Sequence, residues 1–277
     1  MLLAVERLAR EADRLHVDVL LLAAVDEERA GAGARHFVES GGRADGAVVG
    51  EPTRLEVLVA HKGCVRFRLT TVGRAAHSSD PTAGQNAIYA MADLLQHLRS
   101  ELQGDSLGPT HPLVGPPTWS VGTIRGGAAV NIVPDTCTIE VDRRLVPGET
   151  PEVALDQVDR LIAAFRERKP ALRVLREPPF VASFPLETEP AAPIVQAAQV
   201  AREHLLGAAP LGDAAYGTDA SLLAHLGGIP SLVFGPGDIA VAHGPDEYLD
   251  LQELVRAVAV YEAIALAFDP ANREHPV

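Results

Sequence analysis

Apolar residues dominate VDVLLLAAV at 17–25 and break off at three acids, Asp26, Glu27 and Glu28. A strand buried on both faces of a parallel sheet reads this way, because neither face meets water. A shorter run, DGAVVG at 45–50, predicts a second buried strand ending at Glu51-Pro52. Ahead of both, Leu3, Val5, Leu8 and Leu15 stand among charges, the pattern of an amphipathic helix. Between the runs a helix is expected from about residue 33 to 39, closed by Ser40-Gly41-Gly42. Helix, strand, helix, strand is the order of an α/β domain.

The period then changes to two. In CVRFRLTTV (64–72), Val65, Phe67 and Leu69 alternate with Arg66, Arg68 and Thr70, which predicts a strand with one face in water. A helix over about 84–99, strands at 121–124 and 131–142, a helix over 151–166 and the short strand LRVLRE follow. Together they give β-α-β-β-α-β, a ferredoxin-like arrangement, with an exposed edge expected at 64–72 or its neighbours. Near residue 187 the α/β order returns, with a helix at 192–206, a Gly-Thr-Asp turn, the strand PSLVFG at 230–235 and a terminal helix at 251–267. The expected division is one α/β domain from 1–60 and 179–277, interrupted by a smaller domain at 61–178.

Composition narrows the function. A length of 277 residues suits roughly two domains, and 47% apolar residues support real cores. A formal charge of −13 repels phosphate backbones, so nucleic acid is not an expected partner. Cys64 and Cys137 are the only cysteines and fall on alternating strands, which predicts buried thiols rather than a disulfide framework or a thiolate metal site. Charges interrupt the N-terminus too early for a signal peptide, and no stretch approaches the roughly 20 apolar residues of a membrane span. The cytoplasm is the expected address.

Catalytic groups of open α/β sheets gather at the carboxyl ends of strands. The acids 26–28 and Glu51 both stand at such ends, where neighbouring carboxylates repel unless one is protonated or a cation neutralises them. The plainer reading of Asp26-Glu27-Glu28 alone is a solvated N-cap. A third strand runs into Gly235-Pro236-Gly237, with His243 and then Asp246-Glu247 just beyond. Carboxylates with one imidazole suit Zn, Co or Mn more than Ca.

With these pieces in place, DEERAGAGA, VVGEPT, AHKG, AAHSSDPTAGQNAI, GGAAVNIVPD, DRRLVPGE, GTDA and FGPGDIAVAHGPDEYL occur in the order found in M20 metallopeptidases, and the chain resembles that family from about residue 20 to 250. GEPT, HSSDP and the last motif resemble the acetylornithine deacetylase branch more than succinyl-diaminopimelate desuccinylase. The resemblance implies a zinc-exopeptidase-like α/β catalytic domain with an inserted ferredoxin-like dimerisation or lid domain. It further implies two divalent metal ions, Zn or Co, a homodimer, and an N-acyl amino acid substrate in arginine biosynthesis. On that resemblance Glu27 would be the general base, Glu28 and His243 would bind one metal, and Glu51 the other. His77 would reach across the dimer to the partner's site and help hold the oxyanion. Arg144 and Asn131 would grip the substrate carboxylate and its surroundings, and Thr218-Asp219 would line the same pocket. Plainer readings stand beside these: Arg144 as a surface ion pair next to Asp142, His77 as a cap for Ser78 and Ser79, Asn131 as a turn residue.

The family pattern opens with His-x-Asp and later an Asp in an Asp-Met-Lys-Gly context, and neither motif is present in these 277 residues. His16-Val17-Asp18 has the spacing but opens the predicted strand instead of ending one, and is read as coincidence. The expectation is a chain that begins just after those ligands. Three functions follow: a deacylase, a carboxypeptidase, dipeptidase or desuccinylase of the same family, or a non-catalytic dimeric remnant that binds amino acids.

Overall fold

In the computed structural model, which describes residues 1–29, 31–102 and 106–271, the chain forms two compact units. One comprises Met1–Lys62 with Pro185–Val277, the other Gly63–Phe184. The first unit opens with helix α1 (Leu2–Arg10), which buries Ala4 and Leu8 and turns its charges outward. Helix α2 (Ala32–Glu39) and strands β1 (Ala47–Val49) and β2 (Leu58–His61) complete its first part.

The second unit contains β3 (Gly63–Val72), α3 (Ala87–Glu101), β4 (Thr118–Gly126), β5 (Thr136–Leu145), α4 (Pro151–Arg168), β6 (Arg173–Arg176) and β7 (Val181–Ser183). Its sheet runs β4-β5-β3-β6, with β7 also paired to β3, and every pairing is antiparallel. The helices cover one face, where Phe67, Leu69, Met91, Leu94, Ile139 and Val158 pack together. The other face carries cross-strand ion pairs, Arg66 with Asp142 and Arg68 with Glu140.

The chain returns to the first unit through β8 (Leu186–Glu187), α5 (Pro193–Leu206), β9 (Gly212–Ala214), α6 (Ala220–Gly227), β10 (Ser231–Val233) and α7 (Leu251–Ala267). Its sheet has the order β1-β10-β2-β8, with β9 beside β2. Strands β1 and β10 are parallel, so Glu51 and Gly235 leave the sheet on the same side. Ile194, Val195, Val260 and Ile264 from α5 and α7 pack on Val59, Leu232 and Phe234. Among the described residues no helix is long and apolar enough to cross a membrane.

One expectation is corrected and another narrowed. Residues 17–25 form no strand, and Leu20 is 67% exposed. A strand needs neighbours for its N–H and C=O groups, and no described strand pairs with this segment, so hydrophobicity alone cannot make it one. Of the edge expected at 64–72 or its neighbours, the neighbours hold: β3 lies inside the sheet, flanked on its outer side by β6 and β7, and β4 is the edge beyond β5. Alternation reports which face of a strand meets water, not which strand ends the sheet. Cys64 and Cys137 are buried free thiols.

Candidate active site

The acidic turn after residue 25 is shaped by its backbone. Asp26 adopts a left-handed conformation, φ 65°, and its carbonyl accepts from Gly31 N–H at 2.8 Å. Gly33 N–H donates to the Val25 carbonyl at 2.9 Å, tying the segment to the start of α2. Gly31, φ +60°, has no room for a Cβ: one placed there would stand 2.5 Å from Asp219 Oδ1. Glu51 leaves the sheet after β1, and Thr53 fixes that exit by accepting from Gly235 N–H at 3.1 Å and donating to the Glu56 carbonyl at 2.7 Å. His243, also left-handed at φ 61°, places Nε2 3.5 Å from Glu28 Oε1, and its N–H donates to Glu247.

These groups make a concentrated negative field. Burial first, then Glu27, Glu28 and Asp219, push the Glu51 carboxyl up to about 7. Burial, with Asp219 and Glu28, also raises Glu27, while His243 opposes the rise. Asp219 is raised by burial and by Asp26. Burial and the charge of Glu51 lift two nearby phenols, Tyr216 to about 12 and Tyr261 likewise upward. A cavity of about 280 Å³ opens beside Glu51, lined by Gly50, Pro52, Pro236 and Tyr261 among others.

Such a field favours a cation, yet the donors do not close around one. Among the described residues no three His, Cys, Asp or Glu stand together as a metal site. Glu28 and His243 approach each other, and Glu51 adds its field from a separate strand end. A catalytic zinc takes about three protein ligands, so the residues here do not make a complete one- or two-metal centre.

Thr218 and Asp219 are buried at the start of α6, in the same unit as the acids. Thr218 pairs with His61, which the sequence reading passed over. Its signal was a histidine closing the apolar strand LVAH, inside the AHKG piece. The remaining candidates lie in the second unit. His77 is exposed, and its Nδ1 accepts from Ser79 N–H at 3.2 Å. The Asn131 carbonyl accepts from Ser78 N–H at 3.0 Å, which places Asn131 beside His77. Arg144 Nε is 2.9 Å from Asp142 Oδ1, whereas Arg143 is fully buried against Glu149 at 2.6 Å and the Leu107 carbonyl at 2.8 Å.

An α/β unit with acids gathered along one edge thus carries a ferredoxin-like unit in mid-chain. Residues 59–169 match the peptidase dimerisation domain of M20 proteins. The chain is 35% identical over 261 residues to an acetylornithine deacetylase from Myxococcus xanthus, covering 91% of this chain and 65% of the relative. It is also 35% identical over 251 residues to one from Edwardsiella ictaluri, covering 88% and 63%. An M20 metallo-carboxypeptidase from Sulfolobus solfataricus superposes with a TM-score of 0.72 at 18% identity, covering 97% of this chain and 74% of that one. A dinuclear metal binding M20 peptidase from Bacillus subtilis gives 0.70 at 16%, covering 95% and 68%. At those identities the structural likeness establishes the fold. The chain belongs to the M20 family, and it spans less than two thirds of the length of these curated relatives.

Proposed function

We propose that the chain serves a metal-dependent amidohydrolase that removes the acyl group from an N-acyl amino acid, N-acetylornithine first among them. The observation that carries this is the acidic edge of the first unit, where Glu51 is held at about 7 and Glu27 is raised with it. A carboxyl raised above its ordinary value is a better base toward water, and Glu27 takes that role. Glu28, His243 and Glu51 are its donors toward divalent metal, Zn or Co. At least one further shared donor is needed to complete the set.

The second unit supplies the homodimer and, through His77, a group acting on the partner's site. Because Ser79 N–H donates to Nδ1, the His77 proton sits on Nε2, the form needed to hold a developing oxyanion. Arg144 commits its Nε to Asp142 and keeps further N–H groups for a substrate carboxylate, and Asn131 assists in holding the substrate. Thr218 and Asp219 serve substrate binding from the acidic edge of the first unit. The incomplete donor set favours one competing reading, a non-catalytic member that retains the fold.

The test completes the chain with the portion of the Myxococcus xanthus deacetylase that it does not span. The chimera is assayed with zinc or cobalt on N-acetylornithine, N-succinyl substrates and dipeptides. Expected is metal-dependent turnover, best on N-acetylornithine. Glu27→Gln lowers it by roughly 10²–10⁴ with metal content intact, and Glu28→Gln loses metal. The 277-residue chain alone stays at background. Comparable turnover by the short chain would overturn the donor assignment, and a metal-loaded but inert chimera would favour the non-catalytic reading.

A further inference from the structure

His61 ends β2, is fully buried, and has no part in the chemistry proposed above. Its Nδ1 lies 3.1 Å from the Lys62 carbonyl oxygen and its Nε2 3.1 Å from the Thr218 hydroxyl. A carbonyl only accepts, so Nδ1 carries the proton and Nε2 accepts from the Thr218 O–H. Burial lowers this imidazole to about 4, which keeps it in the neutral form that the two bonds require.

The Thr218 oxygen, its O–H donating to His61, accepts from Ala220 N–H at 3.2 Å and satisfies one free donor at the start of α6. That duty usually falls to the N-cap side chain, here Asp219, which makes no capping bond. Asp219 is therefore free to present its carboxylate elsewhere. Its Oδ1 sits so near Gly31 that a Cβ there would be 2.5 Å away, on the turn that begins with Asp26, Glu27 and Glu28.

From this geometry we infer that His61 is a positioning residue. Acting through the Thr218 hydroxyl, it holds Asp219 against the Gly31 turn and so fixes the turn that carries Glu27 and Glu28 to the end of β2. This deepens the reading of the acidic edge as an active site, since catalytic groups must be held by residues whose own rotamers are locked. The link between β2 and the turn is itself a matter of geometry, and its tests involve no turnover, so its failure is separable from failure of the proposed reaction.

Nitrogen-15 spectra of the histidines in the 277-residue protein should show His61 protonated at Nδ1 and accepting at Nε2; a protonated Nε2 overturns the inference. Thr218→Val and His61→Leu should speed amide exchange across 26–35 roughly tenfold, the size of one lost hydrogen bond, while Thr218→Ser stays near wild type. Asp219→Ala should loosen the same segment, and adding Thr218→Val to it should change little more. Faster exchange confined to 212–224, or effects that simply add, would show that His61 supports only its own helix. Should His61→Leu not fold, the wild-type spectrum and the Thr218 pair decide the matter.

Discussion

Glu51 illustrates how a single side chain reports on its surroundings. Its folded carboxyl titrates at about 7 against an ordinary 4.5, so between those values the folded protein binds more protons than the unfolded chain. Stability is therefore full in acid and is lost as pH rises through about 7. Glu27 and Asp219, both raised, act in the same direction. Metal-free protein should melt higher at about pH 5 than at about pH 8. Glu51→Gln should flatten that slope and raise the melting temperature at the alkaline end. A wild-type melting temperature that rises over this range would show that Glu51 ionises freely. Adjacent residues also divide their labour: Arg143 is locked into a buried pair with Glu149, while Arg144 keeps a half-exposed pair with Asp142. Nothing in the letters RR separates the two; the strand's alternation does.

At the scale of elements, hydrophobicity and burial part company in the first unit. Leu20 lies in the extended run at 17–25 and is 67% exposed, while Leu232 in β10 is fully buried between β1 and β2. Leu20→Lys should therefore change unfolding free energy by no more than about 0.5 kcal/mol. Leu232→Ala should cost about 2–5 kcal/mol through lost transfer energy and a cavity. Denaturant titration of the two variants checks both; a large loss from Leu20→Lys would mean that the run packs against the protein after all. The second unit behaves as its alternation suggests. Thr150 caps α4 and Asn86 caps α3, so both helices begin where a side chain can accept from the first turn.

For the whole molecule, the two units carry different parts of the proposed chemistry, Glu27, Glu28, Glu51 and His243 in one, His77, Asn131 and Arg144 in the other. A dimer in which His77 acts on the partner's site makes a sharp prediction for the completed chimera. Inactive His77→Ala protein mixed in equal amounts with inactive Glu27→Gln protein should regain roughly a quarter of the sites after random subunit exchange. No recovery once exchange is verified by mass would place His77 within its own chain's chemistry or outside it. Among the described residues β4 forms one outer edge of the second unit's sheet, and unpaired strand groups there would offer such a dimer a seam.

Period, capping and order of elements settled much of this in advance. The two-residue alternation of 64–72 and the helices beginning near 87, 151, 193 and 251 are local properties, decided by which face of each element avoids water. The ferredoxin-like order and the place of Glu51 beyond β1 followed from them. Other features arise only from long-range pairing. Residues 17–25 are apolar enough for a buried strand, but a strand exists by virtue of its neighbours, and none is present among the described residues. Which strand forms the edge of a sheet is a property of all the strands together, so 64–72 is interior despite its pattern. The His61 link to Thr218 joins positions 157 apart in the chain and is set by β2 and β9 running parallel to one another. The raised carboxyl of Glu51 likewise depends on Glu27, Glu28 and Asp219 arriving from distant segments, and no local pattern announces that charges far apart in sequence will share one desolvated edge.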